Sequence, residues 1–127
     1  MNIVVLIGTI VEDPTLKEFD SGTKGTFITL RVMKPFKSAD GNYEADFIRC
    51  ILWEGIAQST CDYCLKGDTI GIRGRIATRS EEVTFNCVNE EHKKKFTTNQ
   101  IIVERVTFIS TSKANAQASM LKTNEEL

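Results

Sequence analysis

Long apolar runs and targeting signals are missing from this sequence of 127 residues. No run of apolar residues approaches the roughly 18 that a membrane-spanning helix needs. Met1 leads straight into the largely apolar residues 2–7, with no basic segment and no small-residue cleavage site beside them. We therefore expect a protein that neither spans a membrane nor carries a secretory signal, and we expect it in the cytoplasm.

Cysteine, histidine and net positive charge are also scarce. Four cysteines are too few for a disulfide scaffold, and the cytosol keeps such thiols reduced. The sequence has a single histidine and no glycine-rich phosphate loop, no nucleophile elbow and no pair of carboxylates in a recognisable catalytic motif. It therefore gives no support to an enzyme. A net charge of −1 at pH 7 excludes nucleic-acid binding by a uniformly basic surface. A nucleic-acid binder of this composition needs its cations on one face, together with aromatic side chains.

Cys61 and Cys64 have the C-x-x-C spacing that metal and redox sites use. A structural zinc site needs four ligands, and Cys87 and His92 would complete one only if their hairpin folded onto the cysteine-bearing segment. A thioredoxin-like site needs a βαβ context, which this chain lacks. We therefore expect no metal, no cofactor and no catalytic residue, with Cys64 packed inward.

Strand patterning covers most of the chain. A β-branched run over residues 2–11 ends before Pro14, and alternating segments follow at 26–33, 46–53, 69–79 and 101–109. Residues 34–44 are expected to form a loop, and residues 81–95 a polar hairpin. Residues 56–64 have a helical period, with Gly67 as the expected C-cap. Three strands, one short helix and two strands predict an all-β OB-fold, a five-stranded Greek-key barrel with the helix between strands 3 and 4.

This barrel domain is expected to span residues 1–110, because the composition changes after Ser110. Residues 111–127 are rich in Ser, Thr, Ala, Asn, Gln and Lys and hold few residues that form a core. We therefore expect a flexible, disordered C-terminal tail.

The two faces of the third predicted strand separate core residues from candidate binding residues. Ile48, Cys50 and Leu52 fill the inner face, so Phe47 and Trp53 are expected on the outer face. The pattern alone more often places such aromatics in a core. In the last two predicted strands, Ile76, Ile102, Val106 and Phe108 are expected to point inward.

Five stretches of the chain, spread over residues 1–109, resemble the bacterial single-stranded DNA-binding proteins. In order they are NIVVLIG (2–8) with Asp13-Pro14 soon after, TFITL (26–30), ADFIRCILW (45–53), LKGD (65–68) and GRIATR (74–79). The resemblance implies sequence-independent binding of single-stranded DNA, usually as a homotetramer, in replication, recombination and repair.

The resemblance also implies three aromatic side chains that stack on bases, namely Phe36, Phe47 and Trp53. A fourth stacking position of the family falls near Ser80 or Glu81, where this chain has no aromatic. Phe85 and Phe96 are the alternatives in the same hairpin.

Binding a strand without reading its sequence requires flat π-surfaces for the bases and cations for the backbone. Phe47, Arg49 and Trp53 alternate platform and cation over roughly 20 Å of one strand. Further candidate cations lie on the second and fourth predicted strands, with acidic residues expected elsewhere on the surface. These cations are Arg31, Lys34, Arg73, Arg75 and Arg79.

The expected partners are single-stranded DNA and further copies of this chain. Ile3, Val5 and Ile7 on the first strand are expected to pair subunits edge to edge. The chain ends in NEEL and lacks the acidic, apolar-ended tip of the family, so the sequence gives no support for recruiting replication or repair proteins. Two alternatives stay open: an OB-fold protein-assembly module, with Phe47 and Trp53 buried against a partner, and a single-stranded RNA binder.

Overall fold

The computed structural model describes residues 1–87 and 90–113 and contains six strands and one helix. The elements are β1 (Val4–Ile10), β2 (Lys17–Glu18), β3 (Lys24–Lys37), β4 (Tyr43–Trp53), α1 (Glu54–Tyr63), β5 (Thr69–Cys87) and β6 (Glu90–Ser110). The five predicted strands are β1, β3, β4, β5 and β6, and the two-residue β2 was not predicted.

Pairing between β1 and β3 closes five of these strands into a barrel. The sheet order is β1-β5-β6-β4-β3, and β1 returns to β3 through Thr9 and Ile10. Of the pairings described, only that between β4 and β6 is parallel, at Cys50 and Ile51. The order of strands and the helix between β4 and β5 confirm the predicted OB-fold.

The barrel core is built from the inward faces that the alternation predicted. Ile10, Leu30, Leu52 and Ile70 are almost completely buried, and Ala57 of α1 covers the same cluster from one end. Burying such aliphatic side chains stabilises the fold by about 1.5–3 kcal/mol each. The opposite faces of β3 and β4 point away from this core, and Ile51 in the middle of that face of β4 is itself buried.

Both hairpins are longer than the sequence predicted. β3 continues to Lys37 and β4 begins at Tyr43, so Phe36 lies in a strand and not in the expected loop. A tight turn closes this hairpin, in which the Ser38 hydroxyl donates to the Asn42 carbonyl oxygen. β5 and β6 likewise form one antiparallel ribbon to Cys87 and Glu90. The backbone hydrogen bonds between two paired strands do not require that either face of the pair be buried. The pairing can therefore continue through polar residues.

A β-bulge explains why part of the expected core was wrong. The register shifts between Arg73 and Gly74, which pair with Arg105 and Val103. The extra residue on β6 moves Val103 into the core, where it was not expected. A Cβ on Gly74 would meet the Ile102 carbonyl oxygen, so this close approach requires glycine.

Two residues expected to point into the core are exposed. Phe108 lies at the outer end of β6, where its ring packs against Tyr63 of α1 at 5.7 Å between centroids. Ile76 lies where the ribbon leaves the barrel, beyond the point at which core residues cover it. It pairs with Ile101 of β6, and the Asn2 side chain forms two hydrogen bonds with its backbone. Val106 is half-buried and packs against the core as expected, whereas the inward placement of Ile102 was wrong, because it pairs with Ile51 and Arg75 on the opposite side of the sheet.

The end of α1 also differs from the expectation. Cys64, and not Gly67, is the C-cap, and it is buried as predicted. Gly67 has a φ of 92° in the following turn, where its N–H donates to the Ile10 carbonyl oxygen.

The chain stays attached to the barrel beyond Ser110, the expected end of the domain. Thr111 is buried, and Ser112 donates two hydrogen bonds to Asp68. The rest of the predicted tail, residues 114–127, lies outside the described residues. Among the helices that the structure describes, none has the length and apolarity to cross a membrane.

Candidate nucleic-acid interface

The outer face of the barrel presents one continuous row of side chains across four strands. Phe27 of β3 pairs with Ile51 of β4, Ile51 with Ile102 of β6, and Ile102 with Arg75 of β5. Directly paired residues point to the same side of a sheet. The row therefore defines a surface, which we call the outer face, on which residues of all four strands meet.

The three aromatics implied by the resemblance are all exposed. Phe36 is 66% exposed, Phe47 64% and Trp53 37%. Trp53 is the most covered of them because its ring packs on Phe19, with 5.1 Å between centroids. Gly25 faces Trp53 across the strands, and a Cβ there would come within 2.8 Å of the ring. Glycine thus leaves room for the indole to lie against β3.

Phe19 and Phe27 are aromatic members of this face that the sequence reading did not include. The Phe19 ring lies between those of Trp53 and Phe27, at 6.4 Å from the latter. Phe27 occupies the face of its strand that also carries Arg31, and this period-two relation was the available signal. Phe19 gave no such signal, because its place depends on the path of the chain around β2.

Arg49 is held over an aromatic ring in the middle of the outer face. Its guanidinium carbon lies 4.1 Å from the centroid of Phe27. An arginine stacked in this way keeps its N–H groups free to donate to an anion. Arg31 lies further along, directly opposite Phe47, so a cation and a platform are neighbours there too.

A cleft of about 380 Å³ separates the barrel from the ribbon of β5 and β6. Phe27 and Arg49 line one wall, and Arg79, Glu81 and Gln100 line the other. Arg79 and Arg75 are two of the candidate cations, and they occupy the same face of β5 because they are four residues apart. The structure thus brings together Trp53, Arg49, Arg75 and Arg79 around one surface.

Two candidate cations lie apart from this surface. Arg73 lines a different groove, beside Arg105 and the apolar side chains of Val5 and Ile7. Lys34 contacts Asp46, which pairs with Val32 on the face of β3 opposite Phe27 and Arg31.

The expectation that acidic residues lie away from the candidate cations is wrong. The Arg79 Nε lies 3.2 Å from the Glu81 carboxylate, and the Lys34 Nζ lies 3.6 and 3.8 Å from those of Asp46 and Glu44. Arg79 and Glu81 meet because residues two apart share a face of β5, whereas Lys34 meets Asp46 and Glu44 across the β3–β4 pair. These exposed pairs are weak and leave the cations able to exchange partners.

Cys50 and Cys64 have the environment of core residues. Burial raises the pKa of the Cys50 and Cys64 thiols to about 11, so both are protonated at neutral pH. In the part of the chain that the structure describes, no group of three or more His, Cys, Asp or Glu residues is placed to hold a metal ion. The side chains of Cys87 and His92 lie outside that part.

Comparison with known proteins gives one family. The model of the "Single-strand binding protein family" matches residues 1–109. "Single-stranded DNA-binding protein B" of Bacillus subtilis is 38% identical over 108 residues, which cover 85% of this chain and 89% of that protein. "Single-stranded DNA-binding protein 3" of Listeria innocua is 34% identical over 98% of this chain and 74% of its own length. A "Single-stranded DNA-binding protein" of Halalkalibacterium halodurans is 35% identical over 92% and 66%.

Proposed function

The chain belongs to the single-strand binding protein family, and we propose that it binds single-stranded DNA without regard to sequence and coats exposed strands in replication, recombination and repair. The observation that carries this proposal is the outer face, where aromatic rings lie beside arginines, with Arg49 over Phe27 and Arg31 opposite Phe47. It acts by binding alone, with no bond made or broken.

The chemistry of binding follows from the pairing of rings with cations. A base stacked on an exposed aromatic ring contributes about 1–3 kcal/mol whatever its identity, because every base has a π-face. Trp53 and Phe47 offer such surfaces. Arg49, ordered over Phe27, donates to the phosphate that joins two stacked nucleotides.

The proposed path of the single-stranded DNA runs along the outer face. It starts at Phe36, Phe47 and Arg31, on the outer part of the β3–β4 hairpin, and passes Arg49 and Trp53. It ends at the ribbon beside Arg75 and Arg79. Lys34 and Arg73 fall outside this path, because each of them faces another surface.

We further propose that the protein assembles with copies of itself, as a homotetramer. Val5 and Ile7 of β1 and Ile109 of β6 line an exposed apolar groove. Gly71 of β5 lies in the same groove and has no side chain to fill it. Ile3 extends this surface at the start of the chain. Such a groove suits the same apolar surface of a second copy. The assembly acts in the cytoplasm, where the DNA of the bacterial relatives is located.

Direct binding measurements test the function. Fluorescein-labelled oligomers of dT, of mixed DNA sequence and of U, and a DNA duplex, are titrated with the protein and followed by anisotropy. We expect dT and mixed single strands to bind, the duplex to bind far more weakly, and affinity to fall as salt rises. Tighter binding of U than of dT would replace the function with RNA binding. Failure to bind any strand at low salt would leave the protein-assembly module as the better account.

A further inference from the structure

A cavity of about 340 Å³ on the outer face is lined by both Trp53 and Arg79. Phe19 and Phe27 line it as well, so three neighbouring aromatic rings surround part of its mouth. Its volume falls in the range of roughly 300–1,000 Å³ that small-molecule sites occupy. Because the proposed path of the DNA runs from Trp53 to Arg79, a nucleotide on that path meets this cavity.

The middle of the cavity is aliphatic. Ile51 of β4 and Ile102 of β6 pair directly with each other, and both line the cavity. Ile51 is buried and Ile102 is half-buried, so these two side chains form a floor beneath the aromatic rings. Such a floor packs against the flat face of a base but offers no hydrogen-bond partner to its edge. Hydrogen bonds to a base held there depend on the polar side chains around the floor.

Gln100 of β6 places an uncharged amide at the side of this floor. It pairs with Ala77, and Ile102 pairs with Arg75, with no register shift between the two pairs. Residues two apart share a face of a strand, so Gln100 lies on the outer face with Ile102. Gln100 is half-buried and also lines the cleft between the barrel and the ribbon. A base on the aliphatic floor therefore has this amide within its reach.

An amide side chain suits the edge of any unpaired base. It carries one acceptor oxygen and one NH₂ donor side by side. Each of the four bases has a neighbouring donor and acceptor on its Watson–Crick edge, and the amide can turn over to match either order. In a duplex this edge is occupied by the complementary base, whereas in a single strand it is free to bind protein.

We propose that this cavity holds one nucleobase of the bound strand and that Gln100 hydrogen-bonds to the Watson–Crick edge of that base. This inference rests on the proposed function. It adds to base stacking a contact that separates unpaired from paired bases and does not separate one base from another. Gln100 is thus a residue that determines specificity for single strands.

An oligomer that cannot form these hydrogen bonds tests the contact. Labelled oligomers of dT are compared with oligomers of equal length in which difluorotoluene replaces every thymine, because this ring has the shape of thymine but lacks its strong donors and acceptors. The ratio of the two affinities is measured for the wild type, for Gln100→Leu and for Gln58→Leu. Gln58→Leu is the matched control, since Gln58 lies on α1, where its amide donates to Asp62.

We expect the ratio of dT affinity to analogue affinity to be about two- to tenfold lower in Gln100→Leu than in the wild type, which corresponds to the loss of one hydrogen bond. Gln58→Leu keeps the wild-type ratio. Oligomers of dA, dC and dT lose affinity for Gln100→Leu by similar factors, because the amide matches each of these bases. Circular dichroism verifies the fold, and Gln100→Met, which keeps an unbranched side chain, replaces Gln100→Leu if that variant does not fold.

The outcomes separate this contact from the function on which it rests. An unchanged ratio in a folded Gln100→Leu or Gln100→Met protein, or a loss of affinity confined to one base, would overturn the role of Gln100, while tight binding of dT by the wild type upholds the proposed function. If the wild-type protein binds no oligomer, the function itself fails and the contact fails with it.

Discussion

Trp53 and Arg49 show how single residues prepare this surface for a nucleic acid. Each side chain is already packed against a phenylalanine, Trp53 on Phe19 and Arg49 over Phe27. Side chains held in this way lose less conformational freedom on binding than free ones do. The rings therefore do two things, because they fix the groups that contact the strand and extend the apolar surface beneath it.

Replacing Trp53 tests the stacking platform. We expect Trp53→Ala to weaken binding of labelled dT by about 1–3 kcal/mol, because one base loses its surface. Affinity is measured by anisotropy, and circular dichroism verifies the fold.

Tyr63→Ala is the matched control, since Tyr63 is also an exposed aromatic that packs on one other ring, that of Phe108, and it lies at the end of α1, away from the outer face. A folded Trp53→Ala protein that binds as tightly as Tyr63→Ala would remove Trp53 from the site.

Arg75 and Arg73 test which part of β5 meets the DNA strand. They are two residues apart and share a side of β5, but Arg73 lines the apolar groove beside Val5 and Ile7, whereas Arg75 pairs with Ile102 of the outer face. We expect Arg75→Ala to lower the slope of log affinity against log salt by about 0.7, the contribution of one phosphate contact on a single strand. Arg73→Ala should keep the wild-type slope, and the reverse result would move the path to the apolar groove.

The exposure of Phe47 and Trp53 was predictable from the residues, because Ile48, Cys50 and Leu52 take the inward places at period two. Phe19 was not predictable, because its contact with Trp53 depends on three-dimensional packing between distant parts of the chain. The ion pair between Arg79 and Glu81 could have been foreseen from the same period.

At the scale of elements, hairpin length determines how far the binding surface reaches. β3 and β4 pair as far as Lys37 and Tyr43, and β5 and β6 as far as Cys87 and Glu90. Both extensions lie beyond the core, and neither has a buried apolar face. Alternation of apolar and polar residues predicts a strand only where one face is buried. The predicted strands therefore end near the edge of the barrel.

The bulge opposite Gly74 explains why Ile102 and Val103 were misassigned in β6, whereas Phe108 shares the face of its partner Ile70 and is exposed because it lies at the end of the strand. The alternation of Ile102, Val106 and Phe108 indicates one inward face, but an extra residue in the strand changes which side chains face the core. Neither glycine nor the residues around it distinguish a bulge from a regular strand in sequence alone.

Asp68 joins the turn after α1 to the end of β6, and its charge should stabilise that connection. Its carboxylate accepts hydrogen bonds from the Leu65 N–H and from the Ser112 N–H and hydroxyl, at 2.7–2.9 Å. Burial acts to raise the pKa of Asp68, but the hydrogen bonds from Ser112 and Leu65 outweigh it and lower the pKa below its usual 3.8. The folded state therefore favours the charged form.

We expect Asp68→Asn to lower the free energy of unfolding by about 1.5–3 kcal/mol at neutral pH, since hydrogen bonds to a charged group are lost. The folded pKa is below the unfolded one, so this stabilisation is present above pH 3.8 and is lost as pH falls through the folded pKa.

Urea unfolding at several pH values measures this difference, with Asp20→Asn as an exposed control. A difference between wild type and Asp68→Asn that stays constant down to pH 2 would contradict the role of the charge.

At the scale of the whole molecule, the closed barrel has two exposed surfaces of different character. The outer face alternates rings and cations, whereas the groove of Val5, Ile7 and Ile109 is apolar. A chain with a net charge of −1 can bind DNA because one face presents several arginines beside aromatic rings. These are Arg31, Arg49, Arg75 and Arg79. The second surface is available for self-assembly.

Ile7→Asp tests the assembly. A buried, unpaired carboxylate at an apolar interface is strongly unfavourable, so we expect the variant to form smaller assemblies than the wild type. Light scattering after size exclusion measures the mass, and Tyr43→Asp, at an exposed position on the β3–β4 hairpin, is the control. A monomeric wild type, or an Ile7→Asp protein of wild-type mass, would contradict this interface.

The fold as a whole was the most predictable feature, because the order of strands and the helix follows from periodicity and turn residues. The path of the bound DNA strand was less predictable from the sequence. It depends on the register between strands, which is defined only by the pairing of β3, β4, β5 and β6.

Titration of the protein with dT oligomers, followed through the fluorescence of Trp53 at two salt concentrations, tests the central claim most directly. The chain has one tryptophan, so the signal reports a single place on the outer face. We predict strong quenching on binding, with an affinity that falls as salt rises. Tight binding without any change in tryptophan fluorescence would contradict stacking at Trp53, and no binding at low salt would contradict the function itself.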